Sequence, residues 1–256
     1  MTVVAVIPAR RGATRLPDKP LRLLGGRPLV VRVLERVRGL GLFDRIWVAT
    51  DDREIRDVVI AAGGEALLTR AEHPSGTDRV AEVATQLGLA DDAIVCNVQG
   101  DEPFVEREAV AGAVAVVRSG RAPIGTVAVA DTPAILAQPD VVKVVVTDDG
   151  RALYFSRAPI PFLRDATDAA MQAPLVRRHL GVYAYRVDAL RRWVALPPHP
   201  LELIERLEQL RPLAAGLAIG VADAPPPRFG GIDTEADLVR ANAEWADAFP
   251  AAPSIA

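Results

Sequence analysis

The chain has 256 residues, half of them apolar and a quarter charged, with a formal net charge of -3 and a pI near 5.7. That length allows a sizeable core in one large domain or a domain carrying a lobe, and the balance offers no global basic field for nucleic acid or an anionic membrane. Cys96 is the only cysteine, and His73, His179 and His199 stand far apart, which excludes an intrachain disulfide and argues against a Cys-based zinc site or an HExxH-type helix. No basic segment leading into an apolar one precedes the first strand. The longest apolar stretch, near Ala109 to Val117, falls far short of the roughly 20 residues that span a bilayer, so the expected setting is soluble and cytoplasmic.

Val3 to Ile7 is a β-branched run that reads as a buried strand ended by Pro8. The loop behind it concentrates cations: Arg10, Arg11, Arg15, Lys19 and Arg22 stand against one acid, Asp18. Open α/β sheets bind ligands at the C-terminal edge of their strands, where guanidinium and ammonium groups match phosphate oxygens. A solvated surface loop is the competing explanation. A helix follows over Pro28 to Val37, then a strand over Ile46–Thr50, a helix over Arg53–Ala62 and a short strand over Ala66–Thr69. After a polar loop, Thr77–Leu87 is helical, Ala93–Val98 is a strong strand and Glu106–Arg118 is another helix.

Strand and helix alternating this way predict a mainly parallel sheet with helices on both faces. Beyond Arg118 the rhythm changes. Ile124–Ala130, Val141–Thr147 and Arg151–Ser156 read as strands, with a hairpin signal at Asp148-Asp149-Gly150. Gly181–Tyr185 reads as a strand, Ala189–Leu196 and Leu201–Leu213 as helices, Ala218–Val221 as a last strand and Glu235–Ala248 as a terminal helix. Pro250 to Ala256 reads as a frayed end. No repeat or long linker divides the chain, so one domain over residues 1–256, with an inserted β lobe at about 125–185, is expected.

Candidate chemistry collects at strand ends. Gln99-Gly100-Asp101-Glu102-Pro103 leaves a carboxylate at the sheet edge, fit for Mg²⁺, which takes one or two protein carboxylates and completes its shell with substrate and water. Asp233 is a second such carboxylate, or simply the N-cap of the terminal helix. Ser75-Gly76-Thr77 opens a helix with backbone N–H groups suited to anions or base edges, or caps it. Arg157, with Arg177-Arg178-His179 ahead of a strand, forms a second basic cluster suited to an acidic substrate. Glu202, Glu205 and Glu208 recur every three residues, as an exposed helix face does. Cys96 reads as inert core. These readings reach an α/β enzyme that handles a phosphate-rich substrate with Mg²⁺.

The segments Ile7-Pro8-Ala9-Arg10, Thr14-Arg15-Leu16-Pro17, Lys19-Pro20-Leu21, Ser75-Gly76-Thr77, Asn97-Val98-Gln99-Gly100-Asp101-Glu102-Pro103 and Tyr154-Phe155-Ser156-Arg157 form the first part of a longer pattern. With Arg178-His179-Leu180-Gly181-Val182-Tyr183, Pro200-Leu201-Glu202, Leu207-Glu208-Gln209-Leu210-Arg211 and Gly231-Ile232-Asp233-Thr234, they cover nearly the whole chain. Together they resemble the 3-deoxy-manno-octulosonate cytidylyltransferases (CMP-Kdo synthetases). The resemblance implies a Rossmann-like core of the nucleotide-diphospho-sugar transferase type and CMP transfer from CTP to Kdo for lipopolysaccharide synthesis. A related ulosonic acid such as an amino-deoxy Kdo analogue is the alternative acceptor, and a non-catalytic nucleotide-binding module is the more distant one. It implies nucleotide contacts from Pro8, Ala9, Arg10, Arg15, Lys19, Ser75, Gly76 and Arg79, with Arg10, Lys19, Asp101 and Asp233 catalytic. Asp101 and Asp233 would hold Mg²⁺, and Gln99, Arg157, His179, Tyr183, Glu202 and Glu205 would meet the acceptor. A homodimer through the β lobe is also implied. Two positions depart from the pattern. Arg11-Gly12 replaces an aromatic or small residue followed by Ala or Ser, which would add a cation near the triphosphate. Asp18 replaces Gly, which would oppose phosphate if it points inward and do nothing if it faces water.

Overall fold

The computed structural model describes residues 1–12 and 15–248; the end expected to fray, from Pro250, lies outside them. The chain begins with β1 (Val3–Ala9), a 3-10 turn over Lys19–Leu21, β2 (Leu23–Leu24) and β3 (Arg27–Pro28). It continues through α1 (Leu29–Gly39), β4 (Arg45–Thr50), α2 (Arg53–Ala61), β5 (Glu65–Leu68), α3 (Gly76–Gln86), β6 (Ile94–Asn97) and α4 (Arg107–Arg118). This stretch keeps the predicted alternation. The β2–β3 hairpin is an addition, and its two-residue turn uses the positive φ of Gly25 and Gly26 (54° and 77°). Then come β7 (Ile124–Ala130), β8 (Lys143–Val146), β9 (Ala152–Ser156), α5 (Ala169–Gln172), β10 (Arg177–Arg186) and α6 (Val187–Ala195). The last elements are α7 (Pro200–Glu205), α8 (Leu210–Ala214), β11 (Ile219–Asp223) and α9 (Glu235–Ala248).

Two compact units emerge from the contacts. The first comprises Val4–Val83, Val98–Val105 and the residues from Pro227 on; the second comprises Met1–Val3, Ala84–Asn97 and Glu106–Pro226. In the first, β4 lies parallel to β1 (Ala5↔Ile46 to Ala9↔Thr50) and β5 parallel to β4. Val4 to Ile7 are wholly buried, as are Leu29, Val30, Val33 and Val37 on one face of α1. Each such Val, Ile or Leu side chain withdrawn from water stabilises the fold by about 1.5–3 kcal/mol. In the second unit the strands run β11-β7-β10-β6, with β11 parallel to β7 and β10 antiparallel to both neighbours, while β8 and β9 form the expected hairpin. The class is the mainly parallel, helix-flanked α/β fold that the alternation predicts. Apart from β2–β3, antiparallel pairing is confined to the second unit. Among the described residues no helix is long and apolar enough to cross a membrane.

Three expectations need correction. Arg177, Arg178 and His179 do not precede a strand but belong to β10, paired with Ala130, Val129 and Ala128 of β7. The expected strand began at Gly181 because three consecutive polar residues break the apolar pattern. Arg177 and Arg178 are accommodated by ion pairs to Asp223 and Asp131. The helix expected over Leu201–Leu213 is two helices, parted at Arg206 in the left-handed region (φ 55°). That turn lets Leu207 and Leu210 enter the core and brings Arg211 back to Glu202. Glu202 and Glu205 are therefore not part of a solvated stripe: Glu202 is largely covered and pairs with Arg211, and Glu205 binds Ser156 and Arg157.

Candidate active site

In the first unit the end of β1, the loop behind it, the start of α3, the turn Gln99–Asp101 and Asp233 enclose a cavity of about 310 Å³. Its lining includes Pro8, Ala9, Arg10, Arg15, Lys19, Ser75, Gly76, Arg79, Gln99, Asp101 and Asp233. Segments far apart in sequence thus share one surface, at the strand end where open α/β sheets take ligands. The turn carrying Asp101 can approach so closely because Gly100 has no side chain: a Cβ there would overlap the carbonyl oxygen of Pro8. Gly100→Ala is expected to cost about 1–3 kcal/mol, as overpacking does, and to displace Asp101. An unchanged melting temperature together with an unchanged KM for the nucleotide would contradict the close approach.

At the floor of the cavity the Lys19 ammonium donates to Asp101 Oδ2 at 2.6 Å and Asp233 Oδ1 at 2.9 Å. Arg15 Nη2 lies 3.0 Å from Asp233 Oδ2. Burial, the largest single influence on Lys19, acts to lower its pKa; the two carboxylates outweigh it, and the net shift is upward, so the ammonium is fully charged at neutral pH. Neighbouring Glu102 behaves oppositely. Burial first, then the charges of Asp101 and Asp233, push its carboxyl up to about 8, so at pH 7 it is mostly protonated and adds little negative charge.

Asp233 is not the N-cap of α9. Thr234 and Asp237 cap that helix reciprocally: Thr234 N donates to Asp237 Oδ2 at 2.9 Å, and Asp237 N donates to Thr234 Oγ1 at 3.2 Å. The Asp233 carboxylate is thereby left to the cavity.

Ser75 does what a capping residue does, accepting from Asp78 N at 3.4 Å and donating to Asp78 Oδ2 at 2.7 Å, while also lining the cavity. Arg79 is buried at 3% exposure; its guanidinium donates to Thr69 Oγ1 and to Asp51 Oδ2 at 3.2 Å. It is a braced wall of the site rather than a free arm. His73, which opens the polar stretch running to Arg79 but carries no role of its own in the sequence reading, also lines the cavity, its ring held by Glu82 on α3. The only sequence signal for it was its place just ahead of Pro74-Ser75-Gly76.

The remaining predicted residues belong to the second unit. Arg157 donates from its backbone N to Glu205 Oε2 (2.9 Å), and from Nε to the Glu205 carbonyl oxygen (2.9 Å) and from Nη1 to that of Pro139 (3.1 Å). Ser156 Oγ donates to Glu205 Oε1 at 2.6 Å. Glu202 takes a two-pronged contact from Arg211 (2.8 and 2.5 Å) and the amide of His199, so it is a framework carboxylate. His179 is hydrogen-bonded to Thr126 Oγ1 at 2.9 Å and packs edge-on against Phe155 and Tyr183. Burial pushes its imidazole down to about 3, keeping it neutral at physiological pH. Cys96 is fully buried, its thiol pushed up to about 12 by burial, as an inert core residue requires.

Comparison with known proteins adds the following. The family model described as cytidylyltransferase matches residues 4–219. A 3-deoxy-manno-octulosonate cytidylyltransferase from Gemmatimonas aurantiaca is 64% identical over 256 residues, covering 100% of this chain and 98% of that protein. A solved CMP:2-keto-3-deoxy-manno-octonic acid synthetase complexed with CTP superposes with a TM-score of 0.89 at 40% identity, covering 97% of this chain and 100% of that one. The 4-diphosphocytidyl-2C-methyl-D-erythritol synthase of Anaerococcus prevotii, 14% identical with a TM-score of 0.60 over 95% of this chain and 98% of that one, shares the fold.

Proposed function

The chain belongs to the 3-deoxy-manno-octulosonate cytidylyltransferases, and from that premise we propose that it transfers CMP from CTP to the anomeric hydroxyl of 3-deoxy-D-manno-octulosonate (Kdo), releasing pyrophosphate. The observation that carries the reading is the single cavity in which Arg10, Arg15 and Lys19 meet Asp101 and Asp233. The sugar hydroxyl attacks the α-phosphorus in line, and the bond to the pyrophosphate oxygen breaks. Arg10, Arg15 and Lys19 hold the triphosphate and neutralise the charge that builds on the leaving group. Ser75, Gly76 and braced Arg79 face the cytosine. Arg157, with His179 and Tyr183, receives the acid, Arg157 pairing with its carboxylate; Glu205 and Glu202 act by holding Arg157 and Arg211.

Mg²⁺ is the cofactor in this reading. Asp101 and Asp233 fit it: both already converge on one cation, the Lys19 ammonium, and two carboxylates completed by phosphate oxygens and water are its usual shell. When bound it supplies charge neutralisation at the phosphates and lowers the pKa of the attacking hydroxyl. A cytoplasmic setting is part of this reading, and the absence of a membrane-spanning helix among the described residues is compatible with it. A homodimer through the β lobe is supported by Leu153, Phe162, Met171 and Leu175, apolar side chains each more than half exposed there.

Pyrophosphate release measured across nucleotides and acceptors tests the reading. Turnover is expected with CTP and Kdo only, and to cease when the divalent cation is chelated. Robust release with glucose 1-phosphate would overturn the acceptor, as would faster turnover with an amino-deoxy Kdo analogue, whereas a preference for UTP would overturn the nucleotide.

A further inference from the structure

We propose that Arg11 is a positioning residue that holds the Asp18 carboxylate away from the phosphates of the substrate, an inference that rests on the CTP reading above. Arg11 and Asp18 are the chain neighbours of Arg10 and Lys19, two cations that line the cavity, yet neither is among its lining residues. They meet each other instead. Arg11 Nε donates to Asp18 Oδ1 at 2.8 Å, and Nη1 reaches Glu54 Oε2 at 2.8 Å and Asp52 Oδ2 at 3.2 Å.

One end of this clasp is anchored. Asp52 is the N-cap of α2, its Oδ1 accepting from Ile55 N at 3.0 Å, so the guanidinium is tied to a fixed helix terminus. The other end is a specific backbone shape. Asp18 sits in the left-handed region (φ 53°, ψ 27°), its carbonyl accepting from Leu21 N at 2.8 Å in the turn that presents Lys19. An L-residue adopts that conformation at a cost that glycine does not incur. A strained acid one residue from the ammonium that anchors the site is unfavourable for an anionic ligand unless its charge is turned away and matched. Arg11 does both. The pair is exposed, about half in each side chain, so its effect is expected to be moderate and sensitive to salt.

Steady-state pyrophosphate release with CTP and Kdo, on the intact enzyme and the variants Arg11→Ala, Asp18→Gly and the double variant, tests this. Arg11→Ala is expected to raise the KM for CTP about three- to tenfold at low salt, with kcat within about twofold and the KM for Kdo unchanged. The defect should shrink as salt is raised. Asp18→Gly alone should keep the wild-type KM, and the double variant should recover most of what Arg11→Ala loses. Melting temperatures establish that each variant is folded; Arg11→Met, which retains bulk without charge, takes the place of Arg11→Ala if that variant melts early. A wild-type KM in Arg11→Ala overturns the proposal. So does a double variant no better than Arg11→Ala, the result expected if Arg11 touched the phosphates itself. A wild-type enzyme that fails to turn over CTP and Kdo overturns the underlying reading, and this inference with it; normal wild-type turnover with either result above overturns the clasp alone.

Discussion

Asp101→Asn is expected to lower CMP transfer about 10³-fold while leaving the protein folded. The substitution keeps an oxygen that can accept from Lys19, now 2.6 Å away, and changes volume hardly at all. What it removes is one of the two anionic ligands available to a hard divalent cation, along with half of the negative pair that fixes the Lys19 ammonium. Loss of a single preorganised electrostatic group at a reacting centre costs about 10²–10³ in kcat, and if Asp101 holds Mg²⁺ as proposed the loss of a metal ligand adds to it. Pyrophosphate release titrated against Mg²⁺ is the measurement. The residual rate should need far more cation, while CTP binding, which the proposal assigns to Arg10, Arg15 and Lys19, should weaken much less than turnover. Undiminished turnover with CTP still bound would remove Asp101 from the chemistry.

The largest expected loss of stability lies in the second unit. Arg211→Met should destabilise the protein by about 3–5 kcal/mol, because it strands the Glu202 carboxylate where water hardly reaches; the two side chains are 7% and 12% exposed. For a chain of this size that corresponds to a fall in melting temperature on the order of 10 °C. The double variant Arg211→Met with Glu202→Leu should recover much of the loss, since a buried pair replaced by apolar groups is often close to neutral. The pH dependence has a definite sign. Burial acts to raise the Glu202 pKa, but the bonds from Arg211 and from the His199 amide outweigh it, and the net shift is downward. The stability this group contributes is therefore present above the unfolded glutamate value, about 4.3, and is lost as pH falls through the lower folded value. In Arg211→Met burial is opposed only by His199, through its amide and ring, and the carboxyl takes its proton more readily, so the gap between wild type and variant should narrow below about pH 4. A gap that widens on acidification would refute the assignment of the loss to this ion pair.

Much of the molecule follows from local rules. The β-branched run ending at Asp51, apolar spacing broken by Gly39 and Gly63, and the Asp148-Asp149-Gly150 turn each act over a few residues, and the elements they predict form; β1 runs past its expected stop, Pro8 and Ala9 pairing with Ala49 and Thr50 of β4. The loop cations were legible for the same reason, and family resemblance extended the reading to the cavity residues. Local rules failed where a distant partner outweighed them. Arg206 takes a left-handed turn in a helix-like stretch because Leu207 and Leu210 are drawn into the core and Arg211 to Glu202. β10 begins at Arg177 because Asp223 and Asp131 neutralise its polar start.

The sequence by itself determined most of the strands and helices, above all the alternation up to Arg118, and which residue types stand at strand ends, because propensity, periodicity and turn chemistry are properties of neighbours along the chain. Only the tertiary structure decided that Asp233 belongs to the cavity and not to a helix cap, that Asp18 turns to Arg11, and that the glutamates of α7 are ties to Arg211, Ser156 and Arg157. Each depends on a side chain 7 to 214 positions away, brought into reach by packing that local periodicity does not encode.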